Sequence, residues 1–309
     1  MALQSGRQHP MAVVSRRTGL RPDVIRAWER RYRAVEPSRS EGNRRRYSED
    51  DVQRLLLLRQ VVDGGWQISQ VATLPNGEIR DLLGTESQAS PRPGRNAPPG
   101  GKHDDLLALC MEDTRRLDGA QLQAHLEEAA VELSRIDLLD KFVAPLVKEV
   151  GDACASGGLR IAHEHLASAV VGRFLGSLQG AYRAAESAPG LVVTTPAFQH
   201  HEIGALMVAA TGRIEGWRTT YLGPNLPAEE IAVAARIRKA TAVALSVTMP
   251  GDDSDVATEF RKLGRLLHGQ ADLLVGGAAA PRYRQVLDEV RALRLGDLAA
   301  LRSYLQAAR

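Results

Sequence analysis

Small, hydroxylic and imidazole side chains follow consecutive β-rich segments in the C-terminal half of the sequence. His201 stands three residues before Gly204 in the run FQHHEIGALM, directly after the segment LVVTT. The later β-rich segments are followed by Ser246, Thr248, Gly276 and Gly277. An imidazole can bind a metal ion that a ligand carries, and small residues at neighbouring strand ends leave room for a deep slot. We therefore predict a ligand site here, beside an imidazole that can bind a metal carried by the ligand.

A zinc site built by the protein alone is a weaker interpretation of the same histidine-rich sequence. His163 and His165 are two residues apart on a predicted helix, so they point to different faces. The sequence has no HExxH motif, and Cys110 and Cys154 form no CxxC pair. For a lone histidine, a solvated or capping role is the ordinary alternative.

The elements that must position these residues alternate between strand and helix. From residue 190 the β-rich runs are LVVTT, WRTTYLG, AVALSV and ADLLVGG, and the helical stretches between them are EIGALMVAATGRIEG, AEEIAVAARIRKA and SDVATEFRKLGRLLH. This alternation predicts a parallel, doubly wound sheet, on which ligands bind at the carboxyl ends of the strands.

Residues 103–185 have the apolar spacing of helices throughout. Asp118 is a candidate N-cap for the second helix, and Gly157 and Gly158 separate the third helix from the fourth. Four helices with short connections predict a four-helix bundle.

The run ESQASPRPGRNAPPGGK, residues 86–102, is rich in Pro, Gly and Ser and has no periodicity, as is typical of a flexible linker. The predicted domains are a reading head at 1–85, the linker at 86–102, a bundle at 103–187 and a Rossmann-like, flavodoxin-like domain at 188–309.

The segment before the linker is strongly basic although the chain has a net charge of only +3. Its first sixty residues hold fourteen arginines and seven acidic residues, a distribution typical of nucleic-acid binding, although a solvated basic face is the alternative. AVVSRRTG followed by PDVIRAWERRY predicts a helix-turn-helix with Gly19 in the turn and Asp23 near the start of the second helix. Gly42 and Asn43 favour a tight hairpin, a wing whose Arg44 would contact the DNA backbone.

The N-terminal run MALQSGRQHPMAVV lacks the apolar core of a signal peptide, and no apolar run in the sequence is long enough to span a bilayer. We therefore expect a cytoplasmic protein that has no membrane partner.

The run TGLRPDVIRAWERRY…GNRRRYSEDDVQRL resembles the DNA-binding domain of the MerR family, over roughly residues 10–82. The resemblance implies a winged helix-turn-helix whose DNA-facing positions are Arg26, Arg30, Arg31, Tyr32, Arg45 and Tyr47. We expect Trp28, Val52, Leu55, Leu56 and Leu58 in the core. The long dimerisation helix of simpler MerR proteins has no counterpart here, so assembly is expected to depend on the C-terminal module.

The C-terminal two thirds, roughly residues 103–300, resemble a cobalamin-binding domain with its helical cap. The family pattern is Asp-x-His-x-x-Gly, then Ser-x-Leu or Ser-x-Thr, then Gly-Gly, and a Trp-x9-Glu-His motif in the cap. The resemblance implies that His201, next to His200, is the lower axial ligand of cobalt. It also implies cofactor-binding roles for Gly204, Ser246, Thr248, Gly276, Gly277, Glu164 and His165. The whole chain is similar to light-sensing, cobalamin-dependent MerR-type repressors of carotenoid genes.

Three positions depart from that family pattern. Cys154 stands where the cap has tryptophan, Ala155 where the light-sensing repressors have a histidine, and Gln199 where the family has an acid that orients the axial histidine. The pocket could therefore hold cobalamin, as adenosylcobalamin or another corrinoid, or instead a linear tetrapyrrole such as biliverdin. Cys154 could ligate cobalt or form a reversible thioether with a bilin.

Three classes of function follow from these patterns. We expect a transcriptional regulator that binds double-stranded promoter DNA, forms a homo-oligomer (dimer or tetramer), and responds to light through a tetrapyrrole. A cobalamin-dependent mutase or methyltransferase subunit is disfavoured because the chain has no room for a catalytic barrel and no nucleophile–base set or phosphate loop, so we do not expect an enzyme. A ligand-free dimerisation scaffold is the remaining alternative.

Overall fold

The computed structural model describes residues 8–40, 44–63, 66, 68–85, 102–178, 184–249 and 253–309. The chain divides into two compact units, Met1–Val170 and Val171–Arg309. The first unit holds the predicted reading head and most of the helical bundle, and the second holds the end of the bundle's last helix and the α/β domain. The predicted linker lies outside the described residues, except for Lys102.

The reading head is a helix-turn-helix followed by a short antiparallel sheet and further helices. Its helices are α1 (Met11–Thr18), α2 (Pro22–Tyr32), α3 (Glu49–Asp63), α4 (Ile68–Val71) and α5 (Asn76–Thr85). Its strands are β1 (His9–Pro10), β2 (Ser38–Arg39) and β3 (Arg45–Tyr47), in the order β1-β3-β2 within the described residues.

The predicted helix-turn-helix signals are confirmed at both helix ends. Gly19 ends α1 in the left-handed conformation, with φ 68°, and its N–H donates to Ser15 O. Pro22 occupies the first turn of α2, where its missing N–H costs no hydrogen bond, and Asp23 adds a negative charge there. The wing pairs Ser38 with Arg46, whereas the tight hairpin predicted at Gly42 and Asn43 lies outside the described residues.

The core of the head is built largely from the residues expected there. Trp28, Val52, Leu55 and Leu58 are buried, and Leu56 is partly buried against the same cluster. Tyr47 lies in this core as well, with 0% of its surface exposed, so it does not face DNA as the resemblance had implied.

The predicted bundle helices are present as α6 (Lys102–Arg115), α7 (Gly119–Glu132), α8 (Arg135–Asp137), α9 (Ala144–Ala155) and α10 (Ile161–Leu178). Asp118 caps α7 as predicted, its carboxylate accepting from Gln121 N at 3.0 Å. A π-helical turn, Leu138–Val143, joins α8 to α9 just before Pro145. Because proline has no N–H for the usual helical hydrogen bond, a widened turn at this point accommodates it.

The second unit contains the predicted parallel sheet. Its strands are β4 (Gly190–Thr194), β5 (Arg218–Tyr221), β6 (Ala240–Ser246), β7 (Asp272–Gly276) and β8 (Leu293–Leu295). In the described part of the chain they pair in parallel in the order β5-β4-β6-β7-β8. The helices are α11 (Ile203–Ile214), α12 (Ala228–Arg238), α13 (Asp253–Leu267), α14 (Arg284–Glu289) and α15 (Leu298–Ala307), with a 3-10 turn at Ala280–Tyr283.

The sheet is buried on both faces, as a parallel sheet must be. Val192 of β4 belongs to a cluster with residues of α12 and α13, whereas Leu191 and Val193 belong to a cluster with residues of α11 and α15. Strand β8 was not predicted, because LRL is too short to show a period and two of its three side chains are exposed.

Candidate functional site

The predicted histidine loop connects the end of β4 to the start of α11, at the carboxyl edge of the sheet. His200 and His201 are exposed, and Glu202 is the N-cap residue of α11. The hydroxyl of Tyr221, at the end of the neighbouring strand β5, donates to the Glu202 carboxylate. This contact ties the residue that follows His201 to the sheet, so the imidazole is presented from a fixed position.

Gln199 is the main anchor of this loop. It is 2% exposed, and its amide Nε2 donates to Met249 O at 3.0 Å while Met249 N donates to its Oε1 at 3.4 Å. The loop after β4 is thereby clamped to the loop after β6. We expected Gln199 to be a weak partner of the axial histidine, but its amide is committed to the backbone of Met249.

The rest of the loop is held by side chains that replace missing backbone partners. Thr195 Oγ1 donates to Gln199 O and accepts from Asn225 N at 2.8 Å, and Asn225 Oδ1 accepts from Phe198 N at 2.8 Å. Phe198 has a positive φ of 70°, a conformation that a bulky residue adopts only when its surroundings enforce it. Its ring is exposed at the sheet edge, next to the histidines.

Gly204, in the first turn of α11, approaches the end of β6 more closely than any other residue type could. A Cβ at this position would lie 2.3 Å from Ser246 Oγ and 3.6 Å from Thr248 Cγ2. Ser246 is 3% exposed, and Thr248 Oγ1 is buried with no hydrogen-bond partner among the described residues. A buried hydroxyl without a partner is costly, so a polar group of a bound ligand would satisfy it.

The two glycines at the end of β7 lie at the same edge of the sheet as Gly204, Ser246 and Thr248. Gly276 pairs with Ser246 in the sheet, and its carbonyl accepts from Val247 N at 2.8 Å. Gly277 has φ 105°, and a Cβ there would lie 2.3 Å from Val247 O. The structure therefore brings together five residues to which the resemblance assigns cofactor binding: Gly204, Ser246, Thr248, Gly276 and Gly277.

The residues predicted for the upper cap lie at the α9–α10 turn of the bundle. Cys154 is half-buried in the last turn of α9, and its thiol donates to Arg160 O at 3.7 Å, while Ala155 is exposed. Glu164 Oε1 accepts from Ser168 Oγ at 2.9 Å, and Glu164 Oε2 lies 3.7 Å from His165 Nε2. The Glu–His pair is thus present and the His165 side chain is solvent-accessible.

The predicted DNA-facing residues of the head fall into two groups. Arg26, Arg30 and Arg44 are exposed, and Tyr32 is half-buried. Arg31 and Arg45 are instead paired with acidic side chains of the same chain.

Arg45 and Tyr47 both meet Glu29. Arg45 Nε donates to Glu29 Oε2 at 2.8 Å, and Tyr47 Oη donates to the same oxygen at 3.4 Å. The hydrogen bond to Glu29 raises the pKa of Arg45, and burial, with Glu29 nearby, raises the pKa of Tyr47. Glu29 lies on α2, the second helix of the helix-turn-helix, which we call the reading helix. It therefore fixes the wing strand β3 to the reading helix, a role that the sequence did not signal.

Two further findings concern ligands and membranes. Across the described residues, no cluster of three or more His, Cys, Asp or Glu side chains could hold a metal ion by itself. No helix in the described part of the chain is long and apolar enough to cross a membrane.

Comparison with protein families matches three segments of the chain. Residues 10–77 match the MerR HTH family regulatory protein description, and residues 112–179 and 189–294 match two B12 binding domain descriptions. The first match covers the helix-turn-helix and wing, the second most of the bundle, and the third the sheet with the glycine-lined site.

Two curated relatives match nearly the whole chain. It is 30% identical over 288 residues to the HTH-type transcriptional repressor CarH of Myxococcus xanthus, covering 92% of this chain and 93% of the relative. It is also 30% identical over 275 residues to the repressor CarA of the same organism, covering 89% of this chain and 88% of that relative.

Among solved structures, the monomethylamine corrinoid protein of Methanosarcina barkeri matches with a TM-score of 0.51 and 19% identity, covering 66% of this chain and 99% of that chain. At this identity the match shows a shared fold. The family matches and the two repressors place the chain in the MerR family of transcriptional regulators, in the group that carries B12-binding domains.

Proposed function

We propose that this regulator binds a corrinoid in its α/β domain and that the bound corrinoid controls its binding to promoter DNA. The observation that carries the proposal is the slot at Gly204, where the missing Cβ leaves a cradle beside the Thr248 hydroxyl, which has no hydrogen-bond partner within the described ranges. A protein that only kept the fold as a scaffold would have no need for a buried hydroxyl without a partner.

The residues of the site divide the binding between them. His201 is exposed on an anchored loop and would ligate the metal, while Ser246, Thr248 and the glycines around them would hold the nucleotide tail. A bound corrinoid would supply a cobalt ion, and His201 would be its ligand from the protein. Position 199 holds an amide that is committed to Met249 in place of a carboxylate, so we expect His201 to bind cobalt more weakly than a histidine supported by an acid would.

The bundle residues that the resemblance assigns to the upper face of the cofactor are retained only in part. Glu164 and His165 retain the family's Glu–His pair, but Cys154 lacks the bulk of the tryptophan and Ala155 has no donor atom. We propose light as the signal on the strength of the resemblance to light-sensing repressors, with a photoproduct that does not depend on a second histidine at position 155.

The exposed arginines of α2 and the wing support DNA as the partner. Arg26 and Arg30 are four residues apart and lie on one face of α2, and the arginine side chain can form two parallel hydrogen bonds with guanine or phosphate. We further propose that the working form is a homo-oligomer, which gives two tethered heads a higher effective concentration at paired half-sites.

The ligand test is reconstitution of the full chain in the dark with adenosylcobalamin and, separately, with biliverdin, followed by gel filtration and absorption spectroscopy before and after illumination. We expect corrin bands to co-elute with the protein and to change in His201→Ala. Gly204→Ala should lose the pigment, whereas Gly172→Ala should retain it, because a Cβ there meets only Ile203 and Leu206 at 3.7 Å.

The other results would contradict the corrinoid proposal. A red band that depends on Cys154 would identify a bilin regulator instead. A chain from which both pigments separate on the column would be a scaffold. Spectra that are identical in dark and light would remove light as the signal while leaving the ligand in place.

The DNA test is binding to a duplex from the chain's own promoter. Arg30→Ala should cost about 1–3 kcal/mol if the lost contact is to a base. Arg44→Ala should weaken all sequences about equally and flatten the dependence on salt. Arg80, exposed on α5, provides the matched control, and its alanine variant should bind normally. Equal losses of DNA affinity in all three variants would contradict the assignment of α2 as the helix that reads the bases.

A further inference from the structure

A second surface in the first unit engages the reading helix. We call it the α7 acidic surface, defined by Glu128, Val131 and Glu132. Trp28 Nε1 of α2 donates to Val131 O at 3.1 Å, across 103 positions of sequence. Val131 is 8% exposed and packs among the buried apolar residues of the head. The bundle therefore contributes to the core of the DNA-binding domain.

The same surface takes the charge of Arg31. Arg31 Nη2 lies 2.9 Å from Glu128 Oε1, and its Nη1 lies 3.3 Å from Glu132 Oε1. Glu132 is 7% exposed, so its carboxylate is largely withdrawn from water, and Arg31 is one of the groups that face it there. The hydrogen bond that Arg31 donates to Glu128 raises the pKa of Arg31, as expected when a cation meets a carboxylate.

A third contact reaches the turn of the helix-turn-helix. Arg135 Nη2, just beyond α7, donates to Gly19 O at 2.6 Å. The indole of Trp28, the guanidinium of Arg31 and the turn at Gly19 are thus all held from the bundle side. Contacts to α2 and to the turn before it fix the orientation of the head, not just one side chain.

The position of Arg31 on α2 indicates what this docking excludes. At 3.6 residues per turn it lies about 140° around the axis from Arg26, on the flank of the face formed by Arg26 and Arg30. A helix with its side chains is about 10–12 Å across and fills a major groove of about 12 Å, so its flanks face the phosphates of the groove walls. On this flank Arg31 meets two carboxylates, which present to it the same kind of oxygen pair as a phosphate.

We propose that the α7 acidic surface is an internal docking site for the reading helix and competes with DNA for it. The inference rests on the proposed DNA binding of the head. The head must leave Glu128, Val131 and Glu132 before Arg31 can contact a groove-wall phosphate. Any ligand state that moves α7 relative to α2 would then change the affinity for DNA.

The test uses the full chain with two duplexes of equal length, one from its own promoter and one of random sequence. Glu128→Gln and the double variant Glu128→Gln/Glu132→Gln should bind both duplexes about 3–10-fold more tightly, the range expected from releasing an ion pair. The log–log slope of affinity against salt should stay close to that of the wild type, because Arg31 reaches the same phosphate in both complexes once the head has left the surface. Glu127→Gln is the matched control on the same helix, since Glu127 accepts from Gln123 Nε2 instead.

A second readout does not depend on DNA affinity. The Trp28 indole N–H should exchange slowly with solvent in the wild type, faster in the double variant and as in the wild type in Glu127→Gln. Adding promoter DNA to the wild type should speed this exchange. Affinity that stays level or falls in both glutamine variants, or an indole that stays protected when DNA is bound, would overturn the docking proposal.

The two proposals fail in different ways. If neither the wild type nor any variant binds either duplex, the proposed DNA binding fails and the docking proposal fails with it. If the wild type binds and the glutamine variants bind equally well, only the docking proposal fails. Buried Glu132 contributes to packing, so the thermal stability of each variant is measured first. If the double variant is unfolded, the single variant Glu128→Gln decides the test.

Discussion

The slot in the α/β domain and the reading head are both held in place, but by different kinds of interaction. At the slot, backbone and side-chain atoms approach so closely that an added Cβ at Gly204 or Gly277 would overlap its neighbours at 2.3 Å. In the head, Arg31 and Arg45 are positioned by carboxylates at 2.8–3.3 Å. Close steric contacts of the first kind allow a single arrangement of the chain, whereas a charged side chain in an ion pair can exchange its partner for another.

This difference suits the two tasks that we propose. A slot for a large, rigid ligand has to keep its shape when empty, and close packing gives it that shape. A DNA-binding surface has to release its own acidic partners when phosphates arrive, and exposed ion pairs contribute little stability and are easily replaced. Mutations at the slot should therefore change stability strongly, and mutations in the ion pairs of the head should change it weakly.

Gly277→Ala should have the largest effect on stability. The substitution combines a φ of 105° with a clash against the Val247 carbonyl, and the two together should cost about 3 kcal/mol. Gly269→Ala is the control, because Gly269 also has a positive φ, 69°, but a Cβ there meets nothing within 4 Å. It should cost only about 1–2 kcal/mol. Amide hydrogen exchange in β6 and β7 measures the stability of both variants. Equal losses of stability in the two would mean that the close approach at Val247 is unimportant.

Gln199→Ala should have an intermediate effect. It leaves the N–H and carbonyl of Met249 without their side-chain partner, which should cost about 1–3 kcal/mol and loosen the histidine loop. Gln306→Ala is the matched change at an exposed site, where the amide donates to Glu215 at 3.1 Å, and it should cost about 0.5 kcal/mol or less. The hydrogen-exchange rate of the Met249 N–H directly reports the contact between Gln199 and Met249. If it is the same in Gln199→Ala as in the wild type, the loop is held by other contacts.

The same distinction explains how far the sequence could predict the site. Gly204 and Gly277 could be recognised because a close approach requires a specific residue type, and glycine after a strand shows in the sequence. Gln199 was misjudged because its partner is the backbone of Met249, and backbone partners have no sequence signal. Arg31 could be read as DNA-facing because its partners Glu128 and Glu132 are about a hundred positions away and only the folded chain brings them near.

The prediction of strands and helices was limited in the same way, by whether a feature shows in the local sequence. The strands β4 to β7 and the bundle helices were predicted because β-rich runs and helical apolar spacing show in the sequence, whereas β8 has three residues, Leu293–Leu295, and little burial. Tyr47 was expected to face DNA, yet it lies in the head's core, because its neighbour Glu29 offers the hydroxyl a partner inside the protein. An aromatic residue with a polar end can satisfy either position, and the sequence does not distinguish them.

Glu49 provides the smallest predicted effect and the most direct test of how the head's ion pairs behave. Its carboxylate meets Arg17, Gln53 and His9, and the hydrogen bond from Arg17 is the largest cause of a pKa lowered to about 2 from the usual 4.5. A carboxyl whose pKa is lower in the folded state stabilises the fold above pH 4.5, and this stabilisation is lost as the pH falls towards 2. The melting temperature of the wild type should therefore exceed that of Glu49→Gln slightly at pH 6, and the gap should narrow as the pH falls below about 4.5. The Trp28 indole signal follows melting of the head, and in an Arg17→Gln background the pH dependence of the gap should shrink. A gap that is constant with pH, or unchanged by loss of Arg17, would mean that this network contributes nothing through charge, and that the head is held by packing as the slot is.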